Sequence, residues 1–298
     1  MKNRSVLTKV AFILFVTALI ILNLFTFIAA YPETYTSNPG INTSGTIIAK
    51  DFSAYYIGAW RLWSNPSKIY TFGSLNDGEP DIAPHPEEYK YLPNFLLLTS
   101  PLIFLNYQDA LFTFDIIQFL LLPVMAYFLY KILEDKAVVA IFAVATIALL
   151  LPFPSPNKGF SLSYYWQWGE GQAKVISTFL FLFSFYLGKK QKPVLSGIPM
   201  AFGFFDPRFG LLALPLFIVY NHKNFKNATV SFVVASIASN LMLIYPSMFA
   251  NFTQMIFTSG ASTPFYYYSL IPLLTLVALI VVKSKDIANL VKLKNPIK

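Results

Sequence analysis

The group in this sequence best suited to chemistry is Asp51, which opens the stretch Asp51-Phe52-Ser53-Ala54-Tyr55-Tyr56-Ile57-Gly58-Ala59-Trp60-Arg61-Leu62-Trp63. Phe52, Tyr55, Tyr56, Ala59 and Trp63 recur at helical spacing, which predicts a short helix with aromatics on one face and Arg61 near the other. Such a helix suits a membrane surface. Asn65-Pro66 ends it, because the residue before a proline is pushed out of the helical region. A carboxylate at the start of a helix has two uses. It can cap the helix, a place where Asp is preferred. It can also act as a general base at the membrane surface, taking the proton of an acceptor hydroxyl. The two uses are compatible, since a cap also fixes the direction of the carboxylate. The stretch alone leaves both open.

Positively charged side chains and hydrogen-bond donors suit a site that handles an anionic group. Arg208, Arg61, Lys90, His85 and Lys174 are the candidates. Arg208 lies in Phe205-Asp206-Pro207-Arg208, amid an apolar hairpin. A charge there is costly and usually functional. The plainer alternative is an ion pair with Asp206 or a side chain that snorkels. For Arg61 and Lys90 the plainer alternative is interfacial anchoring. His85 sits between Pro84 and Pro86 in a stiff loop. Near the middle of the chain, Ser161 to Gln172 is rich in aromatics, which suit an interfacial belt or stacking on sugar rings. Glu170 and Gln172 within it have the right groups to bind sugar hydroxyls.

Several chemistries are excluded. There is no Cys, so there is no disulfide, thiolate metal site or cysteine nucleophile. The only two His, His85 and His222, are far apart, which argues against a histidine zinc site. Asn76-Asp77-Gly78-Glu79-Pro80-Asp81 is rich in oxygen but lacks the spacing of a calcium loop, and reads as a solvated turn. No Gly-rich phosphate loop occurs in a strand–helix setting. No cofactor is implied, and dependence on a divalent metal stays open.

The elements that must position these groups are membrane elements. Hydrophobic residues make up 56% of the chain and charged residues 12%, against roughly 25% charged in soluble domains. The mean hydropathy is +0.56. The net charge of +8 falls in short basic clusters at the ends of apolar runs, among them Lys189-Lys190 and the Lys-rich tail. That is the positive-inside pattern rather than a nucleic-acid surface. The first apolar run, 10–30, is long enough to cross a bilayer and too long for a signal peptide. It reads as an uncleaved anchor with a cytoplasmic N-terminus. Residues 31–91 then form an outer loop, the one long polar stretch, in which acids exceed bases. Further apolar runs lie near 92–107, 110–131, 137–153, 172–188, 193–205, 209–221, 228–248 and 265–283, and 284–298 forms a cytoplasmic tail. Two cytoplasmic termini require an even number of crossings, so at least one of these runs does not cross fully. The candidates are 92–107, interrupted by Pro101, and the pair of short helices meeting at Asp206. The expected fold is a single domain over 1–298: an all-α, multi-spanning integral membrane bundle whose outer loop carries short interfacial helices.

The run from Lys50 to Leu62 followed by Tyr70, then Tyr89-Lys90-Tyr91-Leu92-Pro93, then Ser100-Pro101-Leu102, and later Gly171-Gln172, resembles glycosyltransferase family 87. These are multi-spanning GT-C enzymes, typified by polyprenol-phosphate-mannose-dependent mannosyltransferases. The resemblance covers about the first 220 residues at scattered positions. It implies an inverting transfer in which Asp51 deprotonates the acceptor hydroxyl and a polyprenyl phosphate leaves from the opposite face of the sugar. The implied sugar is a hexose, mannose in the first place. The implied partners are a polyprenyl-phosphate sugar donor, a lipid or glycan acceptor and membrane lipids, with no nucleic acid and any partner subunit unspecified. Tyr55, Arg61, His85, Lys90, Tyr91, Glu170, Gln172 and Arg208 are the expected substrate-binding residues. Physics agrees on the donor, because nucleotide sugars are made in the cytoplasm and the polar loop faces outside. The rival reading is a transporter or lipid-handling protein, with Asp206 and Arg208 at a broken helix. A transporter concentrates polarity at midplane and an enzyme of this sort at the outer surface. The richer outer loop favours the enzyme.

Overall fold

A computed structural model describes residues 10, 13, 14, 17, 18, 20–28, 49–71, 79–80, 88–133, 152–155, 159–162, 165–259, 270–285 and 287. His85 and most of the apolar run 137–153 lie outside them.

A first helix, α1, runs through residues 20–28. Helix α2 (Lys50–Ser64) is followed by a 3-10 turn at Pro66–Lys68. Helix α3 (Asn94–Thr99) continues into a 3-10 segment, Ser100–Phe104. Pro101 tightens the chain there, and the pair is too short to cross a bilayer, as expected for 92–107.

Helix α4 (Tyr107–Leu133) has 27 residues, a rise of about 40 Å against a bilayer core of about 30 Å. Among the described residues it is the one helix long and apolar enough to cross a membrane. Its polarity is inside out. Asp115 and Gln118 are fully buried, while Phe112, Ile117, Leu120, Val124 and Tyr127 are exposed. Exposed apolar side chains around a buried polar pair are the arrangement expected of a helix whose solvent is lipid.

The chain then forms an antiparallel hairpin of β1 (Pro152–Ser155) and β2 (Gly159–Leu162). This corrects the all-α expectation at one place. Prolines and a glycine punctuate this stretch, which leaves too few consecutive helix formers for a helix. Helices α5 (Lys174–Lys189), α6 (Pro193–Gly203), α7 (Pro207–Asn221), α8 (Phe225–Ser239), α9 (Pro246–Ser259) and α10 (Leu270–Val282) follow. Helix α5 packs on α4, α6, α7 and α10, and α6 lies against α8. Polar glue joins three of them: Ser184 and Ser196 each donate to the other's carbonyl at 2.9 Å, and Asn221 Nδ2 donates to Ser196 Oγ at 3.0 Å. The paired short helices expected around Asp206 are α6 and α7. The run expected over 228–248 breaks at Asn240, whose side-chain amide donates to the Ser236 carbonyl at 2.9 Å. Helix α9 was not foreseen.

Helix α2 does not lie on the surface. Every residue from Phe52 to Ala59 is buried, and among its large apolar side chains only Trp63 is well exposed. The aromatic face packs on α4 and on the 89–95 segment. The opposite, small-residue face is also covered, because Gly58 leaves room for Leu96, whose Cδ2 would meet an added Cβ at 3.0 Å.

Candidate active site

The cap of α2 is Ala49, held in the left-handed region at φ 57 with no side-chain cap bond. The Tyr107 hydroxyl donates to the Ala49 carbonyl at 3.1 Å and fixes that turn. Asp51 is therefore not the cap. It sits in the first helical turn, half-buried, and its Oδ2 accepts from Gln172 Nε2. The main chain joins the same two segments, since the Phe52 amide donates to the Glu170 carbonyl at 3.3 Å. This satisfies one of the donors that a helix N-terminus leaves without an intrahelical partner. Gly171 makes the approach feasible. Its φ is +66, and a Cβ there would lie 2.6 Å from Phe52 Cβ, so a side chain is excluded on both counts.

Behind Gln172 stands a chain of amides. Gln167, in the π-helical turn Tyr165–Gly169, accepts at its carbonyl from the Gln172 amide at 3.0 Å. Its Nε2 donates to the Gln172 carbonyl at 2.9 Å and to Gln118 Oε1 at 3.2 Å. The next residue, Trp168, anchors the turn on α1, donating to Thr26 Oγ1 at 3.3 Å and meeting Phe27 edge-on at 5.7 Å. Gln172 Oε1 and Gln118 Nε2 have no partner among the described residues, a cost of about 1–3 kcal/mol each.

Two residues beyond Gln172, Lys174 begins a charged cluster. Its Nζ donates to Tyr91 Oη at 3.1 Å and to Asp206 Oδ2 at 3.2 Å. Asp206 caps α7 by accepting from the Arg208 amide at 3.2 Å. It also takes the Arg208 guanidinium on both oxygens, at 2.8 and 2.7 Å. Lys174 and Asp206 are almost wholly buried, whereas the Arg208 side chain is 46% exposed. Phe205 stacks on Phe95 at 4.2 Å and meets Tyr91 edge-on at 5.5 Å, and the Leu92 amide donates to the Phe205 carbonyl at 3.1 Å.

Tyr55 links the two halves. It stands one turn after Asp51 on α2, and its ring lies 5.8 Å from that of Tyr91. It is within electrostatic reach of Asp51 and of Arg208. Burial, with Tyr91 and Asp51 adding to it, holds its hydroxyl well above the usual tyrosine range. Tyr55 therefore keeps its proton and can act as a hydrogen-bond donor.

The expected residues thus fall into two groups. Asp51, Tyr55, Tyr91, Gln172 and Arg208 come together, and Lys174 joins them. Glu170 is half-buried beside them and contributes its carbonyl to α2. Arg61 goes elsewhere. It is buried in a bidentate pair with Glu79, at 2.5 and 3.1 Å, and donates to the Lys68 carbonyl at 3.2 Å and to that of Thr71. The oxygen-rich turn therefore contributes Glu79 to a strut. Lys90 is exposed, and His85 lies outside the described residues. Gln118, Gln167 and Asp115 were not foreseen. The signal for two of them was present, since Asp115 and Gln118 are three apart in an apolar run and so share a helix face. Among the described residues no group of three His, Asp or Glu side chains is placed to hold a metal ion.

The model of glycosyltransferase family 87 matches residues 89–282. The chain belongs to glycosyltransferase family 87. No curated protein and no solved structure matches it. Membership makes the protein a sugar-transferring enzyme of a membrane-embedded GT-C family, with a sugar donor and an acceptor as substrates. Within the matched segment lie Tyr91, Glu170, Gln172, Lys174, Asp206 and Arg208. Asp51 stands N-terminal to it, on the helix that the matched segment encloses.

Proposed function

We propose that this family 87 glycosyltransferase moves a hexose, mannose in the first place, from a polyprenyl-phosphate donor to an acceptor hydroxyl at the outer face of the membrane, with inversion. Asp51 is the base. The acceptor oxygen gives its proton to Asp51 and forms a bond to the anomeric carbon. The bond from that carbon to the phosphate oxygen breaks on the opposite side, and its electron pair leaves with the polyprenyl phosphate. Arg208 faces the departing charge, and Tyr55 and Tyr91 stand between base and cation. The observation that carries this reading is the half-buried Asp51 carboxylate, held by Gln172 on a segment that two residues later supplies Lys174 to the Asp206–Arg208 cluster. Family membership favours transfer over transport.

The chain is read as multi-spanning with both termini in the cytoplasm. In support, apolar side chains face outward on α4 and also on α8, where Val230, Val233, Val234 and Ile237 are exposed. A lipid-dissolved donor suits a site whose walls are helices bounded by such faces.

The test uses membranes containing the wild-type protein and Asp51→Asn, supplied with labelled polyprenyl-phosphate mannose or glucose. Loss of the base is expected to lower transfer by about 10²- to 10⁴-fold. Equal transfer by the two proteins would remove Asp51 from the mechanism, and transfer only from nucleotide sugars would remove the donor class.

A further inference from the structure

We infer that Gln172 is a positioning residue for Asp51 and that Gln167 and Gln118 hold it there, so that a glutamine on membrane helix α4 acts on the reaction without touching substrate. The inference rests on the reading of Asp51 as the base. It gives Gln172 a different task from binding sugar hydroxyls.

The orientation of each amide is forced by its neighbours. A carboxylate accepts hydrogen bonds, so Gln172 must turn Nε2, not Oε1, toward Asp51. A main-chain carbonyl also accepts, so Gln167 must turn Nε2 toward the Gln172 carbonyl. That same nitrogen then requires an acceptor from Gln118, which presents Oε1 at 3.2 Å. No step can be flipped without placing two acceptors or two donors face to face. Gln118 is 0% exposed and Gln172 4%, so the inner bonds of the chain, Gln118 to Gln167 and Gln167 to Gln172, are shielded from water and gain strength in the low local dielectric. The chain starts on α4 and ends on the carboxylate. Trp168 pins its middle member to α1.

An N–H directed at a carboxylate favours its ionised form, and one oxygen held in place sets the plane in which the group meets an acceptor hydroxyl. Removing the amide should therefore change both the rate and the pH at which the base works, and leave donor binding alone.

The experiment measures transfer from labelled polyprenyl-phosphate mannose across pH, with the full-length protein in membranes, for wild type, Gln172→Ala and Gln118→Leu. Gln172→Ala is expected to lower kcat by about 10- to 100-fold, the scale for a misplaced catalytic group. The donor KM should stay within about twofold and the acid limb of the profile should move to higher pH. Gln118→Leu should move both in the same direction by less. A raised donor KM with an unshifted profile in Gln172→Ala would show that Gln172 reads the substrate, and overturns the inference. A wild-type rate and profile in Gln118→Leu overturns the part assigned to α4. A second readout needs no turnover: labelling of Asp51 by a carbodiimide and an amine nucleophile against pH, followed by mass spectrometry. Its midpoint should rise in Gln172→Ala, and an unchanged midpoint in folded protein overturns the inference whatever the donor is. Failure of the parent reading is separate, since it appears as full activity in Asp51→Asn.

Discussion

Lys174 Nζ and Asp206 Oδ2 lie 3.2 Å apart with both side chains almost wholly buried, and Arg208 holds the same carboxylate at 2.7 Å from the solvent side. One carboxylate thus serves two cations and a helix cap. Removing one member of a buried pair leaves a charge without compensation, at about 3–5 kcal/mol, whereas replacing both with apolar residues is often close to neutral. Asp206→Leu is therefore expected to destabilise far more than Lys174→Met, because Asp206 keeps Arg208 when Lys174 is lost. The double variant should recover stability relative to Asp206→Leu. Thermal unfolding of the detergent-solubilised protein, followed by tryptophan fluorescence, gives this order. Equal melting of Asp206→Leu and wild type would contradict it.

Arg208 is the cation of this cluster that solvent reaches, so it is the one a phosphate can meet. Its contact with the donor is expected to contribute on the scale of a charged hydrogen bond, about 1.5–3 kcal/mol. Arg208→Gln should then weaken donor binding by about 10- to 100-fold. Arg208→Lys should recover only part of it, because an ammonium cannot grip both Asp206 oxygens and a phosphate in one planar fork. Inhibition of transfer by free polyprenyl phosphate measures the change. An unchanged inhibition constant in Arg208→Gln would move the phosphate away from α7.

Much of the site was legible in the sequence, and the reasons are local. Phe52, Tyr55, Tyr56, Ala59 and Trp63 announce a helix by spacing, and Asn65-Pro66 announces its end. Gly171-Gln172 stood out only through the family resemblance, and Asp206-Pro207-Arg208 marked a helix break. What spacing could not carry was partnership across the chain. Arg61 and Glu79 are 18 residues apart, and Gln172 and Asp51 are 121 apart. Nothing in the residue types distinguishes a strut from a phosphate ligand in the first case, or a sugar ligand from a positioning amide in the second. Burial of α2 was missed for a related reason. Helical spacing identified one apolar face and suggested a helix lying at the membrane surface, whereas Ala54 and Gly58 on the rest of the helix are buried too, with Leu96 packed on Gly58.

Gly171→Ala should damage the site without touching a reacting group. Holding a residue with a Cβ at φ +66 costs about 1–2 kcal/mol, and the new methyl would meet Phe52 Cβ at 2.6 Å. The 170–172 turn must then lift from α2, and Gln172 with it. The expected result is a fall in kcat of at least about tenfold with a modest loss of thermal stability. A fully active Gly171→Ala would mean that the turn and α2 are not held in the arrangement described.

Arg61 separates a structural cation from a substrate-binding one. Its guanidinium is committed on three sides, to both oxygens of Glu79 and to the carbonyls of Lys68 and Thr71. It therefore ties the C-terminal end of α2 to the chain that follows. Arg61→Ala leaves Glu79 buried without its partner, and the expected loss is about 3–5 kcal/mol. Arg61→Lys should not restore it, since one ammonium cannot replace a planar bidentate donor. The loss should appear as low yield and a lower melting temperature, and whatever protein folds should keep the wild-type donor KM. The paired change Arg61→Met with Glu79→Gln removes both charges and should recover most of the stability with that KM intact. If the paired variant is stable and its donor KM rises about tenfold or more, Arg61 meets the phosphate after all, because a strut freed of its burial cost has no other route to donor affinity.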